Sequence, residues 1–223
     1  MVWDSKTGKK LFELKGHIWA VKSAAYSPDG KRIVTASVDK TAKVWDAETG
    51  KFLFDLTGHS YYVNGAVYSP DGKRIVTVST DKTAKIWDAE TGNLLFDLTG
   101  HRSTLISAFY SRDGKKILSS CYDGTAKVWD SETGKLLFNL TGHQSYVLSA
   151  KFSPDDKLIV TSSDDHLAKV WDAETGKLLY NLTGHTDWVN DAVFSPDSKK
   201  IATASFDKTA KIWDAKSGKL LVT

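Results

Sequence analysis

Apolar and polar positions along the chain change phase in short runs, and no segment keeps a helical period. Between residues 59 and 100, Val63 to Ser69 is an apolar, β-branched and aromatic run that stops at Pro70-Asp71-Gly72. Lys73 to Thr80 is rich in β-formers and stops at Asp81-Lys82; Thr83 to Trp87 alternates, and Ala89-Glu90-Thr91-Gly92 turns the chain into Asn93 to Leu98. Short strands with a turn signal about every ten residues predict successive antiparallel hairpins. Pro70 presets φ at the second turn position, and Gly72 supplies a positive φ without steric cost. Asp156 and Ser198 stand at that glycine's place in the fourth and fifth units, where aspartate tolerates the conformation better than serine.

The whole pattern recurs. Gly-His pairs stand at 16–17, 58–59, 100–101, 142–143 and 184–185, and Trp-Asp pairs at 3–4, 45–46, 87–88, 129–130, 171–172 and 213–214. Both series advance by 42 residues without an insertion or deletion, so the units must share one backbone path. A four-stranded sheet of this length cannot bury both faces alone; sheets must stack, and a stack whose rotation closes leaves only short edges. On the Gly-His and Trp-Asp pairs and the Ser-Pro-Asp-Gly turns, the chain resembles the WD-repeat (tryptophan–aspartate repeat) family of β-propellers over essentially its whole length. The resemblance implies an all-β fold and a single domain over 1–223, with five four-stranded antiparallel blades of 42 residues at about 15–56, 57–98, 99–140, 141–182 and 183–223. Residues 1–14 are then a partial repeat that contributes a redundant outer strand.

Composition narrows the partners. Thirty Lys and Arg against 27 Asp and Glu leave a net charge of +3, spread along the chain, which predicts no electrostatic footprint for nucleic acid or anionic membrane. The single cysteine, Cys121, excludes an intramolecular disulfide and a four-cysteine zinc site, and no metal or cofactor is expected. No apolar run approaches the length of a membrane span, and the first residues lack the apolar core of a secretory signal, so a cytoplasmic protein is expected. Asn139 and Asn181 match the glycosylation acceptor pattern, which has no use in that compartment. His166 replaces a turn lysine or glycine and reads as a solvated turn residue.

Four of the five units carry His, Ser and Asp at fixed spacing: His17/Ser37/Asp39, His59/Ser79/Asp81, His143/Ser163/Asp165 and His185/Ser205/Asp207. Nucleophilic catalysis wants those side-chain types within hydrogen-bond reach. Four such sets, with no glycine-flanked nucleophile, argue against an enzyme. The resemblance implies instead a structural tetrad in which an indole N–H donates to the hydroxyl, the hydroxyl meets the histidine and the histidine binds the aspartate. Its tryptophans would be Trp45, Trp87, Trp129, Trp171 and Trp213. In the third unit His101, Asp123 and Trp129 are present, but Cys121 stands at the serine's place, so that blade is expected to hold together less well.

Function should lie where the repeats disagree. Three columns vary most: the positions just after the histidine, including Trp19, Tyr62, Tyr146 and Trp188; a first-strand column of Lys22, Asn64, Ile106, Leu148 and Asn190; and a column before the turn aspartate that includes Tyr122, Asp164 and Phe206. In the resembled family these surround one mouth of the central channel, the face that grips partners. Large rings suit such a surface. The resulting expectation is a non-catalytic scaffold that binds a protein or peptide there.

Strand counting adds an alternative. First, second and third strands come in five sets, but fourth-strand segments number six: Lys10–Leu14, Phe52–Leu56, Leu94–Leu98, Leu136–Leu140, Leu178–Leu182 and Leu220–Thr223. Two segments compete for one place in the last blade. Seven is the usual count in the family, at about 51° per blade, so five blades of that wedge close poorly. An unfilled edge invites pairing, and the alternative is a self-assembling repeat fragment, natural or engineered, forming rings or homo-oligomers through its terminal strands. A small carbohydrate-binding ring is a third, weaker reading.

Overall fold

The computed structural model describes all 223 residues and contains strands without helices. A two-stranded sheet comes first, β1 (Val2–Trp3) and β2 (Lys10–Phe12). Blade one is β3 (Val21–Tyr26), β4 (Arg32–Ser37), β5 (Ala42–Asp46) and β6 (Phe52–Leu56). Blade two is β7 (Val63–Tyr68), β8 (Arg74–Ser79), β9 (Ala84–Asp88) and β10 (Leu94–Leu98), and blade three β11 (Leu105–Tyr110), β12 (Lys116–Cys121), β13 (Ala126–Asp130) and β14 (Leu136–Leu140). Blade four is β15 (Val147–Phe152), β16 (Leu158–Ser163), β17 (Ala168–Asp172) and β18 (Leu178–Leu182). Blade five is β19 (Val189–Phe194), β20 (Lys200–Ser205), β21 (Ala210–Asp214) and β22 (Leu220–Val222). Within each of the five four-stranded sheets, strands pair antiparallel in sequence order.

Side chains write the turns. In blade two, Ser69 Oγ donates to Asp71 and accepts from the Arg74 N–H at 3.0 Å, while the Gly72 N–H reaches the Ser69 carbonyl at 2.9 Å. Asp88, the acid of the Trp-Asp pair, accepts the N–H groups of Glu90 (3.0 Å) and Thr91 (2.7 Å) and the Thr91 hydroxyl (2.8 Å). That aspartate is a turn-former, binding the backbone that doubles back over it. The first-turn glycines Gly30, Gly72 and Gly114 have φ of 72°, 73° and 75°, and Asp156 and Ser198 are held in the same left-handed region at 57° and 61°.

Alternation along each strand sends one set of side chains forward and the other back. Val34, Ala36, Ala42, Val44 and Leu56 of blade one pack on Val63, Ala66, Ile75 and Trp87 of blade two, all nearly fully buried. Equivalent residues join blades two to three, three to four and four to five. The core is therefore a series of apolar layers between sheets, one per junction.

Of the two segments that compete for the outer place in the last blade, Leu220–Val222 takes it and residues 1–14 stand apart. They do not complete the last blade: β22 already pairs with β21, and β1 pairs only with β2. Val2, Phe12 and Leu14 instead cover Ile33 and Trp45 of blade one. They lie 42 residues before Val44, Phe54 and Leu56, so this hairpin is the outer half of a blade preceding blade one. No hydrogen bond, strand pairing or apolar cluster joins blade one to blade five.

Candidate functional site

In blade two, Trp87 Nε1 donates to Thr77 Oγ1 at 2.8 Å, Thr77 Oγ1 meets His59 Nε2 at 2.7 Å, and His59 Nδ1 meets Asp81 Oδ2 at 2.8 Å. One tautomer, with the imidazole proton on Nδ1, satisfies the whole series, each group donating to the next. The series recurs through Trp45, Thr35, His17 and Asp39, then through Trp129, Ser119, His101 and Asp123. It recurs again through Trp171, Thr161, His143 and Asp165 and through Trp213, Thr203, His185 and Asp207. The glycine before each histidine brings the loop onto the indole: a Cβ on Gly58, whose φ is +150°, would lie 3.3 Å from the Trp87 ring.

The hydroxyl is thus not the serine that the spacing suggested. Ser37, Ser79, Ser163 and Ser205 stand two residues later, at the ends of their strands. Their Oγ atoms accept the N–H of Asp39, Asp81, Asp165 and Asp207 at 3.0–3.1 Å, fastening the turn. Residues i and i+2 share a face of a strand, and only the inner one comes under the indole. The expected weakness of blade three falls with the same correction. Cys121 fills the turn role, accepting from the Asp123 N–H at 3.4 Å, and Ser119 completes that tetrad. The missed signal was present in the sequence: Thr35, Thr77, Ser119, Thr161 and Thr203 keep a hydroxyl in every unit, whereas the column containing Cys121 does not.

Electrostatics follow from the hydrogen bonds. Burial alone would raise the Asp39 carboxyl, but bonds from Thr41, His17 and the Ile18 N–H outweigh it and hold it at about 2. Asp165 is held at about 2 against burial by His143 and the Gln144 N–H. Asp81, Asp123 and Asp207 are lowered in the same manner. His101 is pushed below its ordinary value by burial, which overrides its bond to Asp123. The tetrad hydroxyls are between 0% and 3% exposed, so each already serves its indole and imidazole with no face open to a substrate. His101, Cys121 and Asp123 bring three ligand-type atoms within 4.8 Å of one another. The imidazole and carboxylate there are spent on each other, and burial pushes the thiol up to about 12.

The variable columns lie at one end of the blades. Backbone bonds tie two of them together: the N–H groups of Thr80, Tyr122, Asp164 and Phe206 reach the carbonyls of Tyr62, Thr104, Tyr146 and Trp188. Tyr122 and Tyr146 stack across blades three and four with centroids 4.7 Å apart, and Trp188 meets Phe206 edge-on at 5.5 Å. Trp19 and Tyr62 line one shallow pocket with Val38 and Lys40. These six rings are exposed. Lys22 and Asn190 are also exposed, whereas Ile106, Leu148 and Asp164 are half-buried. Asp164 Oδ1 is buried without a partner. Asn64 is committed to the scaffold: its amide donates to Thr80 Oγ1 at 3.0 Å and to the Leu105 carbonyl of blade three at 2.9 Å. His166 is exposed in its turn, with φ of 70°.

The family profile described as WD domain, G-beta repeat matches residues 8–46, 50–88, 92–130, 134–172 and 176–214. No curated protein matches the chain.

Proposed function

Because the chain belongs to the WD domain, G-beta repeat family, whose propeller scaffolds generally mediate protein interactions, we propose that it is a non-catalytic scaffold that grips a protein or peptide at the aromatic end of its blades. One observation carries this reading. The Trp-Asp tryptophans of the five blades are buried in the tetrads, yet Tyr62, Tyr122, Tyr146, Trp188 and Phe206 stand 38–56% exposed in adjoining columns. Packing between blades does not account for rings left in water, and rigid aromatic anchors supply contact area at low entropic cost. The imbalance of +3 over 223 residues favours an uncharged or mixed-charge peptide segment over a polyanion.

The test is selection of displayed random peptides on the wild-type chain, followed by affinity measurement on Trp188→Ala combined with Tyr146→Ala. Loss of a hot-spot ring costs about 2 kcal/mol or more, so affinity should fall by well over tenfold with the melting curve preserved. Peptides that bind both proteins equally would rule the aromatic end out.

A further inference from the structure

We propose that the outward faces of blade one and blade five bind each other between two copies of the chain, head to tail, and that the N-terminal hairpin gives way when they do. This builds on the assembly alternative raised by the strand count and is independent of the aromatic end.

Every junction joins a presenting face to a receiving one. On the receiving face of blade two, Val63 and Tyr68 are 0% and 8% exposed; at the same places in blade one, Val21 and Tyr26 are 51% and 55% exposed. On the presenting face of blade one, Ala36 and Ala42 are fully buried, whereas their blade-five equivalents Ala204 and Ala210 are exposed. Blade one and blade five therefore expose the unmatched halves of an interface that the chain already makes four times. A second copy carries, on its own blade five and blade one, the surfaces already shaped for them.

Polar groups match as well. Arg32 donates to the Ala89 carbonyl and pairs with Glu90 at 2.8 Å, and Lys116 does the same with Ala173 (2.7 Å) and Glu174 (3.4 Å). At the junction of blades four and five the equivalent positions hold Leu158 and Lys216 and make no such pair, but the corresponding residues on the two open faces are again complementary: exposed Lys200 on blade five and exposed Glu48 on blade one. Asn64 donates to the Leu105 carbonyl across a junction, and exposed Asn190 is its blade-five equivalent, facing the Val21 carbonyl of an incoming blade one.

The receiving face also holds an apolar cavity of about 320 Å³, walled by Val2, Trp3 and Leu14 of the hairpin and by Val21, Tyr26 and Ile33 of blade one. The hairpin covers the outer half of the face that β21 and β22 of the second copy need. It is the weaker rival: β1–β2 and β21–β22 are each held by two residue pairs, but β1 has no further strand partner, whereas β21 is also held to β20 by five.

Sedimentation velocity over a range of concentrations tests the proposal. The mass should rise from 24.6 kDa to multiples of it. Tyr26→Asp and Ala204→Asp should each abolish association, and an equimolar mixture should recover a dimer and nothing larger, because one intact face survives on each variant. Lys200→Glu, an exposed change, should weaken association, and Glu48→Lys in the same chain should restore it. Hydrogen exchange should show residues 1–14 losing protection in the associated state while 21–26 gain it. A chain that stays at 24.6 kDa at every concentration overturns the proposal. So does association that survives Tyr26→Asp, a failed charge rescue, or loss of association in the Trp188→Ala/Tyr146→Ala variant, which would move the contact to the aromatic end.

Discussion

Replacing Thr77 by valine keeps the shape of a fully buried side chain and deletes one oxygen. That oxygen accepts from Trp87 Nε1 at 2.8 Å and meets His59 Nε2 at 2.7 Å, so two ring nitrogens inside the blade lose their partner together. An orphaned buried polar group costs roughly 1–3 kcal/mol, and two that share a site do not add fully, which puts Thr77→Val at about 2–4 kcal/mol. For a chain of this size that corresponds to a melting temperature lower by about 5–15 °C. Ser79→Ala removes only a turn contact to the Asp81 N–H at 3.0 Å and one to the Tyr61 carbonyl at 3.2 Å, and should cost about 1 kcal/mol. Urea titration followed by circular dichroism, with thermal melts in parallel, measures both variants against the wild type. A Ser79→Ala loss equal to or larger than that of Thr77→Val would refute the assignment of the tetrad hydroxyl to the threonine column.

Ser198→Gly should stabilise blade five by roughly 1 kcal/mol, because serine is held there at φ of 61° where glycine sits without strain; an unchanged or lower urea midpoint would contradict it. Acid should act in two windows. His101, depressed below its ordinary 6.5, stays neutral in the fold while the unfolded chain takes up a proton, so stability declines as pH falls below 6.5. Asp39 and Asp165, held at about 2 against an ordinary 3.8, contribute stability in full above that value and lose it as pH falls toward 2. Urea midpoints measured from neutral pH downward should fall in both windows, and a midpoint that rises between pH 7 and 5 would reverse the assigned sign for His101.

Strands and turns were legible because their signals are local and repeated. Asp71 caps its own turn within three residues, and a pattern that returns every 42 residues forces the same backbone each time. The tetrad was legible except for one atom. Serine and threonine two residues apart share a strand face, and only the reach of the indole separates Thr77 from Ser79. The unbroken run of hydroxyls from Thr35 to Thr203 distinguishes the tetrad column from the column that Cys121 interrupts. Where residues 1–14 would settle was not legible, because their strands suit two places equally well by pattern, and the choice depends on which blade face lies within reach. The pairing of Tyr122 with Tyr146 across two blades was hidden for a related reason: the rings are 24 residues apart and belong to different columns.

The layered core has a bearing on how such a chain is made. Each blade finishes with its presenting face bare, and that face is covered only when the following 42 residues have emerged and folded. At translation rates of about 5–20 residues per second, a nascent chain carries a naked apolar sheet for roughly 2–8 s per module. Until its own next module folds, that sheet is open to the receiving face of any other copy within reach, so slow synthesis lengthens the time for stacking on a neighbour relative to stacking on the same chain.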